Sequence, residues 1–254
     1  MATNNAINNL IFSPAGGISL TGVKFVKAFG SQLTATTTDL YTVPTGKRAI
    51  IYPSYGANAN TSGPFTIGYT AKIKSGGNYY NISAAGSSAQ NALMTTPSSP
   101  IILEAGESCS VTTTTNTGMN YGFPVLEFDN TIPLKTAKLL TVINGNNTVY
   151  TCPANTKAFV LDTNCGIATA AALAQLFYSN LSGGSITRQW YLVNSGGSPG
   201  TTNSTSLAAS ISNAAIDVAG ATSACLNAGD FISINTSAST ATQMPWVNIM
   251  ETPA

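Results

Sequence analysis

The stretch FTIGYTAKIK, residues 65–74, alternates with a period of two. Phe65, Ile67, Tyr69, Ala71 and Ile73 fall on one side, and Thr66, Gly68, Thr70, Lys72 and Lys74 on the other. Successive side chains of a strand point to opposite faces, so this pattern predicts a half-buried strand. LYTVPTGKRAII, residues 40–51, predicts a strand, a tight turn and a second strand. Pro44 presets φ at the second turn position and Gly46 closes the turn. No sustained helical stripe runs through the chain. ATAAALAQL, residues 168–176, has the alanine content of a helix. Its counterpart TSGPFTIGY contains Pro64, so the segment reads as strand.

The pattern is duplicated. VYTCPANTKAFV, residues 149–160, repeats residues 40–51 at a step of 109 (40 to 149). Pro153 and Asn155 take the places of Pro44 and Gly46. Asn is the side-chain-bearing residue that best tolerates the left-handed backbone that Gly favours. The same step sets Tyr178 opposite Tyr69. An SGG turn follows in each copy, at Ser75–Gly77 and Ser182–Gly184, and leads into NYYNIS or TRQWYLV. LEAGESCSV, residues 103–111, then pairs with LNAGDFISI, residues 226–234, at a step of 123 (103 to 226). The longer step assigns the extra residues of the second copy to the polar loop SGGSPGTTNSTS, residues 195–206. Each copy closes on an apolar strand, YGFPVLEFD or MPWVNIME.

These elements predict an all-β chain of two tandem antiparallel β-sandwich domains. The expected wiring is jelly-roll-like, although pattern alone does not separate it from an immunoglobulin-like one. The expected divisions are an N-terminal arm over 1–29, domain 1 over 30–130, a linker over 131–137 and domain 2 over 138–254. The arm carries the apolar residues Leu10, Ile11 and Phe12, then VKFVKAF with Val23, Phe25 and Phe29. It reads as a docking element that adds an edge strand to a neighbouring subunit.

Composition narrows the function. Charged residues are 7% of the chain, against a usual share of about 25%. The 43% hydrophobic content supports a real core. Ten Lys and Arg stand against nine Asp and Glu. The basic residues occur only as pairs, Lys24/Lys27, Lys47/Arg48 and Lys72/Lys74, so nucleic acid is not an expected partner. The N-terminus lacks the charged and apolar regions of a signal peptide. No stretch approaches the ~20 apolar residues of a membrane span. Synthesis in a cytoplasm is expected, with no membrane partner.

The four cysteines, Cys109, Cys152, Cys165 and Cys225, show no CxxC spacing, and the chain has no His. No metal or cofactor is expected. Buried free thiols are the favoured reading. A Cys152–Cys165 bridge stays open, but Val43 stands in the place of Cys152, so the fold does not require one.

Without His, Ser-His-Asp and Cys-His catalysis is excluded. Glu104/Glu107 and Glu127/Asp129 are the remaining carboxylate pairs. Asn227 and Asp230 replace Glu104 and Glu107 in the second copy, which favours turn-capping acids over an active site. No catalytic residue is assigned and the chain is not expected to be an enzyme. The adjacent aromatics Tyr79/Tyr80 and Trp190/Tyr191 must place one ring of each pair on each side of their strand. They are candidate contact residues, for a protein interface ahead of a sugar.

The pairs LYTVPTGKRAII with LEAGESCSV, and VYTCPANTKAFV with LNAGDFISI, resemble a module of tailed-bacteriophage virion proteins. That module runs YTVPAGK, then strands, then LxAGDxIS, and closes on a short apolar strand. The leader ATNNAINN also resembles those of phage fibre-like proteins. The resemblance covers about residues 40–128 and 149–250. It implies a structural, non-catalytic role on a virion surface, made in the host cytoplasm. Head decoration or cementing is the leading role, and a tail fibre or receptor-binding protein the alternative. The implied partners are major capsid or tail proteins and further copies of the chain, with homotrimers usual in the family.

Overall fold

The computed structural model describes residues 22–33, 35–52, 54–58, 66–82, 86–89, 93–96, 100–114, 119–141, 145–166, 173–182, 185–196, 202–203, 224–236 and 244–254. Every regular element among them is a β-strand. The chain divides into two compact units between Ile132 and Pro133.

The first unit holds β1 (Lys24–Leu33), β2 (Thr37–Thr42), β3 (Lys47–Ile51), β4 (Ser54–Asn58), β5 (Thr66–Ser75) and β6 (Asn78–Asn81). It continues with β7 (Gly86–Ala89), β8 (Leu93–Thr96), β9 (Ile101–Leu103), β10 (Ser108–Thr113) and β11 (Met119–Asp129). Glu127 pairs with Lys24 on one side and Ala49 on the other; Gly122 pairs with Phe29 and Tyr55. Strand β1 therefore lines one side of β11, while β3 and β4 follow each other along the opposite side. Strands β9 and β8 extend that side outward. The second sheet runs β2-β10-β5, with β6 and β7 sharing the far side of β5. With β3/β4, β6/β7 and β8/β9 each counted as one interrupted strand, the sheets read 1-8-3-6 and 2-7-4-5. That wiring is a jelly roll.

The second unit repeats it. Its strands are β12 (Leu134–Lys138), β13 (Gly145–Thr151), β14 (Thr156–Gly166), β15 (Leu173–Ser182), β16 (Ser185–Gly196), β17 (Thr202–Asn203), β18 (Ala224–Leu226), β19 (Phe231–Thr236) and β20 (Trp246–Pro253). One sheet is β12-β20-β14 with β18 and β17 beyond, and the other is β13-β19-β15-β16. Even the irregularity is copied: the pairing slips after Cys109 opposite Tyr41, and again at Ile232 opposite Tyr150.

Two expected boundaries are corrected. Residues 24–29, expected in a free arm, are the first strand of the first jelly roll. Residues 134–137, expected in the linker, begin the first strand of the second. Phe25 pairs with Leu126, and Leu134 with Met250, so β1 and β12 hold the same position at the familiar step of 109 (25 to 134). Residues FVKAF and LKTAK share only Ala28/Ala137, so no letter match exposes the equivalence. The matching of Tyr69 with Tyr178 is corrected too. Tyr178 pairs with Ile232, whose counterpart Cys109 pairs with Ile73. Tyr178 thus stands where Ile73 stands, four residues beyond Tyr69.

The alternation read over 65–74 sets the first core. Tyr69, Ala71 and Ile73 are buried, as are Tyr121, Phe123 and Val125 of β11. Tyr69 and Tyr121 place their ring centroids 6.0 Å apart, and Tyr121 and Phe123 5.5 Å. Val160, Ile232, Ile234, Val247 and Ile249 form the corresponding core of the second unit. Residue 65 and the side chain of Ile67 lie outside the description. Segment 173–182 is strand, as read; residues 168–172 also lie outside it.

The shared turns lock together. Val43 N–H donates to Glu107 O at 2.9 Å, and Gly106 N–H to Val43 O at 2.9 Å. In the second copy Cys152 N–H donates to Asp230 O at 2.8 Å, and Gly229 N–H to Cys152 O at 2.9 Å. Gly46 has φ 77° and Asn155 has φ 58°, the shared backbone demand anticipated from Gly/Asn. Asn155→Ala should therefore destabilise the second unit by about 1 kcal/mol, while Asn155→Gly stays within a few tenths, as read by chemical denaturation.

Candidate interaction surface

Most acidic side chains near the shared turns are committed to structure. Glu107 accepts Glu104 N–H at 2.8 Å, and Asp230 accepts Asn227 N–H at 2.8 Å. Each carboxylate closes its LxAG turn on itself, the capping role read from sequence. Arg48 Nε meets both Glu104 oxygens, at 3.0 and 2.8 Å, and its Nη1 donates to Ile132 O at 2.7 Å. Asp129 pairs with Lys47 at 2.6 Å. Among the described residues no group of three or more His, Cys, Asp or Glu side chains is placed to hold a metal ion.

One polar contact crosses between the sheets in both units. Tyr41 Oη donates to Glu127 Oε2 at 2.7 Å, and Tyr150 Oη to Glu251 Oε1 at 2.7 Å. Burial, then the hydrogen bond to the neighbouring carboxylate, holds both phenols well above their ordinary value. The second unit adds Lys135, whose Nζ lies 2.6 Å from Glu251 Oε1 and 5.6 Å from the centre of the Tyr150 ring. Val26 occupies the place of Lys135 in the first unit. Neither Glu was singled out as half of a Tyr–Glu pair from sequence. The signal was present: each Tyr precedes its turn by three residues, and each Glu sits in the closing strand.

The cysteines are settled in part. Cys109, Cys152 and Cys225 are free thiols, so Cys152 is not bridged to Cys165. Burial pushes the Cys109 thiol up to about 12 and raises that of Cys152. Cys152 Sγ instead donates to Thr156 O at 3.3 Å, a bond internal to its turn.

The aromatic candidates separate. Tyr79 is 39% exposed, and Tyr80 is half-buried. Lys74 Nζ sits 5.2 Å above the Tyr79 ring and 2.9 Å from Asp39 Oδ2, and Ser110 Oγ donates to Asp39 Oδ1 at 2.8 Å. Burial works to raise the Asp39 carboxyl, yet the bonds from Lys74, Ser110 and Tyr79 bring it below its ordinary value. Tyr80 pairs with Ile73 and Trp190 with Tyr178, so these two aromatics hold equivalent positions. Tyr191 pairs with Phe177. The side chains of Trp190 and Tyr191, and residues Leu10, Ile11 and Phe12, lie outside the description.

The remaining arm candidates gather on β1. Val23 is 42% exposed, Phe25 73% and Phe29 43%. Ala28 and Leu33 are buried on the other face, so β1 alternates as an amphipathic strand should. Lys27 Nζ sits 5.1 Å above the Phe29 ring. Among the described residues, the side of β1 away from β11 has no strand partner.

No family model matches the chain, and no curated protein matches it. Among solved structures it is similar to a protein from the triple jelly-roll fold and turret assembly of an archaeal virus, at 13% identity and a TM-score of 0.26, over 91% of this chain and 59% of that one. It is similar to the PBSX exported protein XepA at 7% identity and a TM-score of 0.25, over 93% of this chain and 90% of that one. It is also similar to the tandem CBM22 domains of Paenibacillus barcinonensis Xyn10C, at 10% identity and a TM-score of 0.24, over 92% of this chain and 85% of that one. The chain spans about three fifths of the turret-type viral proteins, 59% and 60% of their lengths. At such TM-scores these likenesses carry no argument about what the chain does.

The Tyr–Glu pairs yield a pH dependence. Each phenol binds its proton more tightly in the folded state than in the unfolded chain. Their contribution is complete below the unfolded phenol value of about 10 and decays as pH rises through the folded value. Denaturation followed from neutral to alkaline pH should show stability falling above about pH 10. The fall should weaken in Tyr41→Phe and Tyr150→Phe. At neutral pH Tyr41→Phe should cost about 1–3 kcal/mol, because it leaves the buried Glu127 without that donor. Tyr150→Phe should cost less, because Lys135 still holds Glu251.

Proposed function

We propose that the chain is a non-catalytic structural protein of a bacteriophage particle, carried on the virion surface as a head decoration or cement protein. One observation carries the reading. The two motifs that resemble the virion module, YTVPTGK with LEAGE and YTCPANTK with LNAGD, lie far apart in sequence. In each unit they meet as one hydrogen-bonded pair of turns. The letters that carry the resemblance thus form one element of this chain, built twice. The duplicated jelly roll and the sparse charge agree with a protein that works by packing into an assembly. Its partners in this reading are major capsid or tail proteins and further copies of itself.

A second reading places the chain on the tail as a fibre or receptor-binding protein. The exposed Tyr79, steadied by Lys74 and Asp39, favours it, because such rings stack on sugars and anchor protein contacts. Loss of host-surface or glycan binding in Tyr79→Ala would support this reading. Unchanged binding in that variant would remove this face from it.

Quantitative mass spectrometry of purified particles is the test. Copy numbers on the order of hundreds, expected for a symmetric head lattice, support decoration. A few to a few dozen copies favour the tail. Absence from particles overturns both readings.

A further inference from the structure

We propose that β1 of the first jelly roll is a self-pairing edge, by which two copies of this chain join antiparallel into one continuous sheet. The inference is independent of the virion reading, since it concerns only how copies of the chain meet.

The duplication supplies the comparison. Strands β1 and β12 hold the same position, and their outward residues correspond: Phe25 with Leu134, and Lys27 with Thr136. In the second unit Leu134 is fully buried and Thr136 is 7% exposed. Thr136 Oγ1 is hydrogen-bonded to Asn248, itself buried. In the first unit Phe25 is 73% exposed, and both Lys27 and its neighbour Pro124 are open to solvent. The same outward position is covered in one copy of the fold and bare in the other. Three of the five large exposed hydrophobic residues among those described lie on or beside β1. The bare strand is also twice as long, with 10 residues against 5. A long apolar edge is a template for another strand.

Sequence arithmetic then selects the partner and the register. Directly opposed residues of an antiparallel pair share a face, so outward residues must meet outward residues. A two-fold axis at Lys27 would set Lys27 against the partner's Lys27, a like-charge pair that disfavours pairing. An axis at Val26 removes the clash. Phe25 then faces the partner's Lys27, and Val23 faces the partner's Phe29. Each cation lands beside an aromatic ring, as Lys27 already does with Phe29 at 5.1 Å. The strand is therefore self-complementary in one register, which is what an isologous two-fold contact requires. The stretch used, through Phe29, ends before the irregularity between Gly30 and Leu33. With a net charge of +1, two copies repel each other little.

Sedimentation of the full chain across concentrations reads the association, and cross-linking reads the register. The wild-type chain should move from monomer to dimer as concentration rises. Phe25→Lys, which sets a like charge against the partner's Lys27, should weaken dimerisation about tenfold or more, and Tyr79→Ser, on another strand, should not. Phe25→Ser serves as the second variant, with unchanged thermal melting as the check on folding. In a Cys225→Ser background, Val26→Cys should form a disulfide-linked dimer on mild oxidation. Preferential cross-linking of Lys27→Cys would overturn the register. A wild-type chain that stays monomeric, or dimers indifferent to both Phe25 variants, would overturn the proposal.

Discussion

The structure depends on the pairing of two short turns that are distant in sequence. Strands 2 and 3 of each jelly roll are joined by the VPTG or CPAN turn. Strands 6 and 7 are joined by the LxAG turn. Each turn presents N–H and C=O groups that its own strands do not use, and the two turns satisfy each other. Because one turn links strands 2 and 3 and the other links 6 and 7, their union ties both sheets together at one end. The Gly46/Asn155 backbone is needed to bring the turn round, and the Glu107/Asp230 carboxylate holds the opposing turn in shape. The Tyr–Glu bond adds a second tie just inside, between strand 2 of one sheet and strand 8 of the other. A buried hydroxyl and carboxylate would each be costly alone, and together each satisfies the other.

The legible part of the fold was the part that this constraint fixes. The turns use residues with special backbone or capping properties, so their letters survive in both copies. The period-two run at 65–74 was legible because one face meets the core and the other meets polar neighbours. The first strand of each unit was not legible. Its outward face answers to different surroundings in the two copies, exposed at Phe25 and buried at Leu134. Phe25 and Leu134 are both apolar, but Lys27/Thr136 and Phe29/Lys138 share no chemistry. A conserved position with unconserved letters looks like an arm in one copy and a linker in the other. The shift of Tyr178 from Tyr69 to Ile73 has a related cause. The step is still 109 at Ala49 and Ala158 but is 105 at Ile73 and Tyr178, so the length change falls between strands 3 and 4, where a constant step breaks even though the pairing register is kept.

Of the candidate contact residues, sequence gave the strand but not always the side. Adjacent aromatics guarantee that one ring faces outward. Only the pairing with Ile73, itself buried, assigns Tyr80 to the inner side and Tyr79 to the outer. The acidic residues were easier, because Asn227 in the place of Glu104 already separated a turn-shaping acid from a replaceable one. Glu127 was harder. Its partner Tyr41 lies 86 residues away and becomes its neighbour only when the sheets stack.

The two copies share a core plan but differ in where they place charge and apolar surface. The second unit surrounds its Tyr–Glu pair with Lys135, an inward-facing cation on strand 1. The first has Val26 there, keeps Lys24 opposite Glu127 and carries a second strand 1 cation, Lys27, outward between two exposed phenylalanines. Moving a cation from the inner to the outer face frees the inner position for an apolar residue and leaves the outer face with alternating ring and charge. Core stability alone does not account for the exposed Phe25, since a polar residue at that place would leave the core untouched. An exposed ring kept beside a cation, on an edge with no strand partner among the described residues, makes sense as part of a contact. In this chain, duplication thus separates the residues that hold a jelly roll together from those that face whatever it meets.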